Sequence, residues 1–155
     1  MILDKTISPA ADSGARAEAL RSLGLASAED LAEAWQAWSD KPEVADIRRP
    51  EIGLVMLQGR IGGDGSPFNF GETTVTRAAV RIGEAVGHGH VLGRDREKAR
   101  LVAIFDALWQ GPQRGRVEAD VLAVMRARQA EADSKRAAET AATKVDFFTM
   151  VRGDD

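Results

Sequence analysis

The apolar run Ile52 to Leu57 flows into a glycine-dense stretch, Gln58-Gly59-Arg60-Ile61-Gly62-Gly63-Asp64-Gly65-Ser66-Pro67, and a Thr/Val/Arg segment follows. No other feature restricts the fold as much. Ile52 to Leu57 has the short, continuous apolar pattern of a buried strand, with Pro50 acceptable near its entry but not in its middle. The segment Thr73 to Ile82 also has helical spacing at Val75, Ala78, Ala79 and Ile82. Its β-branched content, Thr73, Thr74, Val75, Thr76, Val80 and Ile82, favours a strand. In a strand, Thr74, Thr76, Ala78, Val80 and Ile82 share one face, and Arg77 and Arg81 share the other. Val86 to Leu92 is a third, short strand, weakened by Gly87 and Gly89.

Helices flank this centre. Residues 1–14 read as a flexible arm, and 15–155 as a single domain. Ala15 to Leu23 carries Leu20 and Leu23 at helical spacing, with Gly24 as its expected stop. Ser27-Ala28-Glu29-Asp30 resembles a capped start, with Leu31, Trp35 and Trp38 at i, i+4 and i+7 packing that helix on the body, and Lys41-Pro42 ends it. Asp95 is a suitable N-cap for a helix with Leu101, Ile104, Phe105 and Leu108 on one face, up to Gly111-Pro112. The next, from Val117, carries Val117, Val121, Val124 and Met125 before its stripe thins to alanines near Ala142. Continuous, it reaches roughly 40 Å at 1.5 Å per residue. Its second half is therefore expected to leave its own domain and lie on something else. The fold class is α+β: a small antiparallel sheet from the central segment, packed with N-terminal and C-terminal helices.

Composition excludes several chemistries. With 155 residues, 44% hydrophobic and 29% charged, the chain can bury a core of its own. It has no cysteine, so disulfides, thiolate nucleophiles and a cysteine-held iron-sulfur cluster are excluded. A net charge of -3 without a concentrated basic surface argues against nucleic acid. No apolar run approaches the ~18 residues of a membrane span, and Met1 to Gly14 lacks the basic-then-apolar order of a secretory signal, so the expected compartment is the cytoplasm.

Three candidate sites remain. In the turn Gly59 to Gly65, backbone N–H groups of residues such as Gly62 and Gly63 can converge on an anion and Arg60 can clamp it. It lacks the Gly-Lys-Ser/Thr ending of a P-loop and the dinucleotide spacing; a tight connection between strands explains it equally, glycine supplying positive φ. His88 and His90 place two imidazoles on one strand face, one short of the three protein ligands of an open zinc site, so no metal is assigned. Arg48, Arg49, Arg60, Arg77, Arg81 and Arg94 are matched in number by Asp46, Glu51, Asp64, Glu72, Glu84 and Asp95, leaving at most a few to face a phosphate or partner. No nucleophile-base-orienter triad is visible. The tail, with Val145, Phe147, Phe148 and Met150, either folds back or docks on a partner.

The series Arg49-Pro50-Glu51, Gly53-Leu54-Val55-Met56, Gly59-Arg60-Ile61-Gly62-Gly63, Pro67-Phe68-Asn69, Gly71 to Arg77, Gly87 to Asp95 and Lys144 to Gly153 resembles the PhnG family, over roughly Leu20 to Gly153. Members of that family are the PhnG component of the bacterial carbon-phosphorus lyase core complex. The resemblance implies a non-radical subunit of a transferase, assembled with subunits H, I and J, to which ATP-binding-cassette-like subunits K and L attach. It implies that ATP and an alkylphosphonate give ribose 1-alkylphosphonate 5-triphosphate and adenine, with the PhnG component required beside subunits H, I and L. S-adenosylmethionine and an iron-sulfur cluster belong to another subunit, and this chain alone holds no cofactor. The long helix and Val145 to Val151 are expected to dock on subunit I, with Arg60 and its loop near that subunit's active site. A stand-alone nucleotide- or phosphate-binding enzyme and a purely structural adaptor are the alternatives.

Overall fold

A computed structural model describes residues 9–143. The order is α1 (Pro9–Leu25), α2 (Ala28–Gln36), β1 (Ala45–Arg60), β2 (Pro67–Ile82), β3 (Ala85–Leu92), α3 (Arg96–Trp109), α4 (Arg114–Arg116), a π-helical stretch (Val117–Leu122) and α5 (Ala123–Ala142). The three strands form one antiparallel sheet in the order β1-β2-β3. This is the expected α+β architecture.

The sheet buries one face. Thr76, Ala78 and Val80 of β2, with Gly87, Gly89 and Val91 of β3, lie against α3. Arg77, Arg81, His88 and His90 are exposed on the other face, as period-two alternation requires. The two glycines of β3 have a constructive role that pattern alone did not suggest. A Cβ on Gly87 would sit 1.9 Å from the Ala103 carbonyl oxygen, and one on Gly89 would sit 2.0 Å from that of Ala99. Bare backbone at both positions lets α3 lie directly on β3.

α3 is the centre of the core. Asp95 caps it, accepting from the Lys98 N–H at 2.8 Å. Every residue from Leu101 to Trp109 is buried, because β2 and β3 cover one side while α1, α2 and the π-helical stretch cover the rest. Trp35 and Trp38 meet Phe105 edge-on, at ring centroid distances of 6.1 and 5.9 Å. The expected packing role of both tryptophans is thereby borne out.

Several boundaries differ from those expected. Helix α1 begins at Pro9, so 9–14 is helical where an arm was expected, and it continues through Gly24, which has no positive φ. Helix α2 ends at Gln36, ahead of Lys41-Pro42; the Lys41 ammonium reaches back to the Trp38 and Gln36 carbonyls at 2.9 and 3.3 Å. Strand β1 is far longer than Ile52 to Leu57 and is mostly exposed instead of buried. Pro50 falls inside it, and is tolerated because β1 is an edge strand and its register slips between Arg48 and Glu51. In the last helical run Leu122, not Val124, joins Val117, Val121 and Met125 in the core. The wider π-helical turn rotates the later positions away from the spacing of a regular helix.

Candidate functional site

The open face of the sheet gathers most of the polar residues singled out from sequence. Cross-strand pairing places Glu51 opposite Arg77 and Arg77 opposite His90, with Arg48 and His88 opposite Ala79 from either side. Side chains directly opposed across antiparallel strands stand on the same face. Arg48, Arg77, His88 and His90, with Ile47, Ala79 and Val86, line a shallow groove of about 320 Å³. Glu51 organises it: one carboxylate oxygen accepts from Arg48 Nη1 at 2.5 Å and from Arg77 Nε at 2.6 Å. The hydrogen bond from Arg48, then that from Arg77, holds the Glu51 carboxyl below its ordinary pKa. One carboxylate thus orients two guanidinium groups on this face.

His88 and His90 both project on this open face, as their i, i+2 spacing required. Among the described residues no group of three or more His, Cys, Asp or Glu side chains comes together to hold a metal.

Arg60, Gly62 and Gly63 lie elsewhere. They form the end of the β1–β2 hairpin, ten strand positions from Arg77 along β2 by way of Pro67, a span of roughly 33 Å. A single ligand therefore cannot bridge Arg60 and Arg77. Gly62 and Gly63 have φ of 64° and 86°, the Gly65 N–H donates to the Ile61 carbonyl at 3.0 Å, and Arg60 Nη1 donates to the Gly65 carbonyl at 3.2 Å. The turn's own geometry accounts for these glycines. Val145, Phe147, Phe148 and Met150 lie outside the described residues.

Sequence reasoning missed a second charged centre, below the sheet. Asp106 is 1% exposed. Arg16 of α1 grips it with both branches, Nε to Oδ1 at 2.9 Å and Nη2 to Oδ2 at 2.7 Å. The His88 backbone N–H donates to the same carboxylate at 2.8 Å, and Gln110 Nε2 donates to the Val86 carbonyl at 2.8 Å. Asp106 raises the pKa of Arg16 through that hydrogen bond. Every partner is structural, and the cluster satisfies backbone groups on the outer edge of β3. A lone Asp inside Leu101-Val102-Ala103-Ile104-Phe105-Asp106-Ala107-Leu108-Trp109 was the available signal.

A hollow of about 690 Å³ lies between the β2–β3 turn and the end of α3, lined by Pro42, Ile82, Gly83, Leu108 and Pro112 among others. It brings no cluster of candidate residues together. No helix among the described residues is long and apolar enough to cross a membrane.

Comparison with known proteins places these features in context. Residues 14–153 match the family described as "Phosphonate metabolism protein PhnG". A protein of Rhizobium meliloti (strain 1021), named alpha-D-ribose 1-methylphosphonate 5-triphosphate synthase subunit PhnG, is 56% identical over 142 residues, covering 90% of each chain.

Proposed function

The chain belongs to the PhnG family, and on that premise we propose that it is a non-radical subunit of the bacterial carbon-phosphorus lyase complex in phosphonate catabolism. In this reading it is a subunit of the transferase that makes ribose 1-alkylphosphonate 5-triphosphate from ATP and an alkylphosphonate, releasing adenine. The observation that carries it is 56% identity, over nine-tenths of both chains, to a protein named as a subunit of that synthase.

Its partners in the proposal are subunits H, I and J, with K and L attaching as ATP-binding-cassette-like subunits, in the cytoplasm. The adenine-displacing and radical steps belong to other chains, as do S-adenosylmethionine and the iron-sulfur cluster. This chain contributes binding surface. Arg48 and Arg77, held in register by Glu51, suit an anionic group at an assembled interface. The long, mostly exposed α5 and the segment Val145 to Val151 are proposed to dock on subunit I.

A purely structural adaptor is the second reading, favoured at the hairpin because the turn's φ values and the Arg60 to Gly65 bond need no ligand. Reconstitution tests the first reading: subunits H, I and L with ATP and methylphosphonate, with and without this chain, followed by phosphorus NMR. The phosphonate-ribose triphosphate is expected only when the chain is present. Its formation without the chain overturns the assignment. With the chain required, loss of product on Arg77→Ala supports a ligand contact at the open face, whereas unchanged product leaves the adaptor reading.

A further inference from the structure

Among the described residues, the sheet narrows to two strands beyond Val75. β3 ends at Leu92, opposite Val75, while β1 and β2 stay paired out to Arg60 and Pro67. From Gly53 to Arg60 this overhang is roughly 25 Å long. Its side chains are apolar and wet: Leu54 is 65% exposed, Met56 59%, Phe70 60% and Ile61, at the turn, 75%.

The register distributes these groups over both faces. Leu54 opposes Thr74 and Met56 opposes Glu72, which puts both on the side that carries Thr76 and Val80 toward the helices. Val55 opposes Thr73, and Gly53 opposes Val75 and through it Leu92, all on the open side. Val55 and Leu92 are also exposed. A two-stranded ribbon is marginal in water, and contiguous exposed apolar surface marks a site of association.

Charge narrows the occupant. Between Gly53 and Arg60 and between Pro67 and Thr74, the only charged side chains are Arg60 and Glu72, and Arg60 is bonded to the Gly65 carbonyl. Next to the base of the ribbon, Arg48 and Arg77 stand on the open face and share the single carboxylate of Glu51, so positive charge is in excess there. Two copies of this chain stacked ribbon on ribbon would cover one apolar side and leave the other in water.

We propose that the β1–β2 overhang inserts into an apolar cleft of a different subunit, with a wall against each ribbon face and an acidic lip meeting Arg48 and Arg77. This rests on the reading of the chain as a synthase subunit and adds where, and by what chemistry, it is held. The ribbon supplies the apolar contact and the basic base of the sheet supplies orientation.

The experiment co-produces the tagged full chain with subunits H, I and J and measures recovered complex for wild type, Met56→Asp on the helix side, Val55→Asp on the open side, and Arg48→Gln. Each aspartate variant is expected to reduce recovered complex about tenfold or more. Arg48→Gln is expected to reduce it several-fold at low salt, with a smaller loss at high salt. The free variants should melt at the wild-type temperature, because these side chains are exposed, and amide exchange across 53–60 should slow on assembly. Full recovery with both aspartate variants overturns the insertion. Recovery with only one shows a ribbon lying on a single surface and overturns the two-walled cleft. Dimers of the chain alone that Met56→Asp dissociates make a second copy the occupant, which also overturns it. A wild-type chain that fails to co-purify removes the synthase-subunit reading itself, and the insertion with it.

Discussion

At the scale of single residues, Asp106 and Glu51 show how differently two carboxylates can be used. Asp106 is buried and answered by Arg16 and the His88 N–H. Removing one partner of such a pair leaves the other uncompensated, so Asp106→Ala should cost about 3 kcal/mol or more in chemical denaturation. Glu51 is exposed, and its effect is read by titration. Its carboxyl should titrate below the ordinary glutamate range in a carbon-detected NMR experiment, and Arg48→Ala should move the midpoint up. Because its folded pKa is lowered, its contribution to stability is present above the unfolded value and is lost as pH falls through the folded one. Asp106 was illegible in the sequence because its partner stands ninety positions away on α1; the Arg48–Glu51 contact is local, and charge matching anticipated pairing of that kind.

At the scale of elements, the glycines separate into two kinds that composition alone cannot distinguish. Gly62 and Gly63 bend the hairpin, and their positive φ has the sign expected for a tight connection between strands. Gly62→Ala should therefore destabilise the hairpin by roughly 1–2 kcal/mol, seen as faster amide exchange near the turn. Gly87 and Gly89 look like weak points in a strand, yet they define where α3 sits. Gly87→Ala or Gly89→Ala should cost about 2 kcal/mol or more, because the obstructing atoms are α3 backbone and cannot swing aside. The strand nature of β2 was legible from its β-branched residues, and α3 from its cap and apolar spacing. The full length of β1 was not, because pattern reading equates a continuous apolar run with burial, and here the run overhangs the domain. The π-helical stretch was equally hidden, since one extra residue in a turn leaves no compositional trace.

At the scale of the whole molecule, the chain is a compact half and an exposed half. The first contains α1 to α3 and the inner sheet; the second contains the ribbon, α5 and the open sheet face. Sequence resemblance identified the family, and the relative's name bears that out; where each candidate stands required the strand register. Arg60 and Arg77, grouped in sequence as possible phosphate contacts, are held ten strand positions apart by β2's pairing with β1 and must serve separate ends. The two borders of the sheet differ as well. Along β3, Asp106 takes the His88 N–H, and Arg16 and Gln110 donate to the Val86 carbonyl; among the described residues β1 borders no further strand. In its three-stranded part, lengthening of this sheet is therefore one-sided: a strand can be added along β1 while side chains blunt the border at β3, so two copies joined along β1 would form a closed pair instead of running on into a fibre.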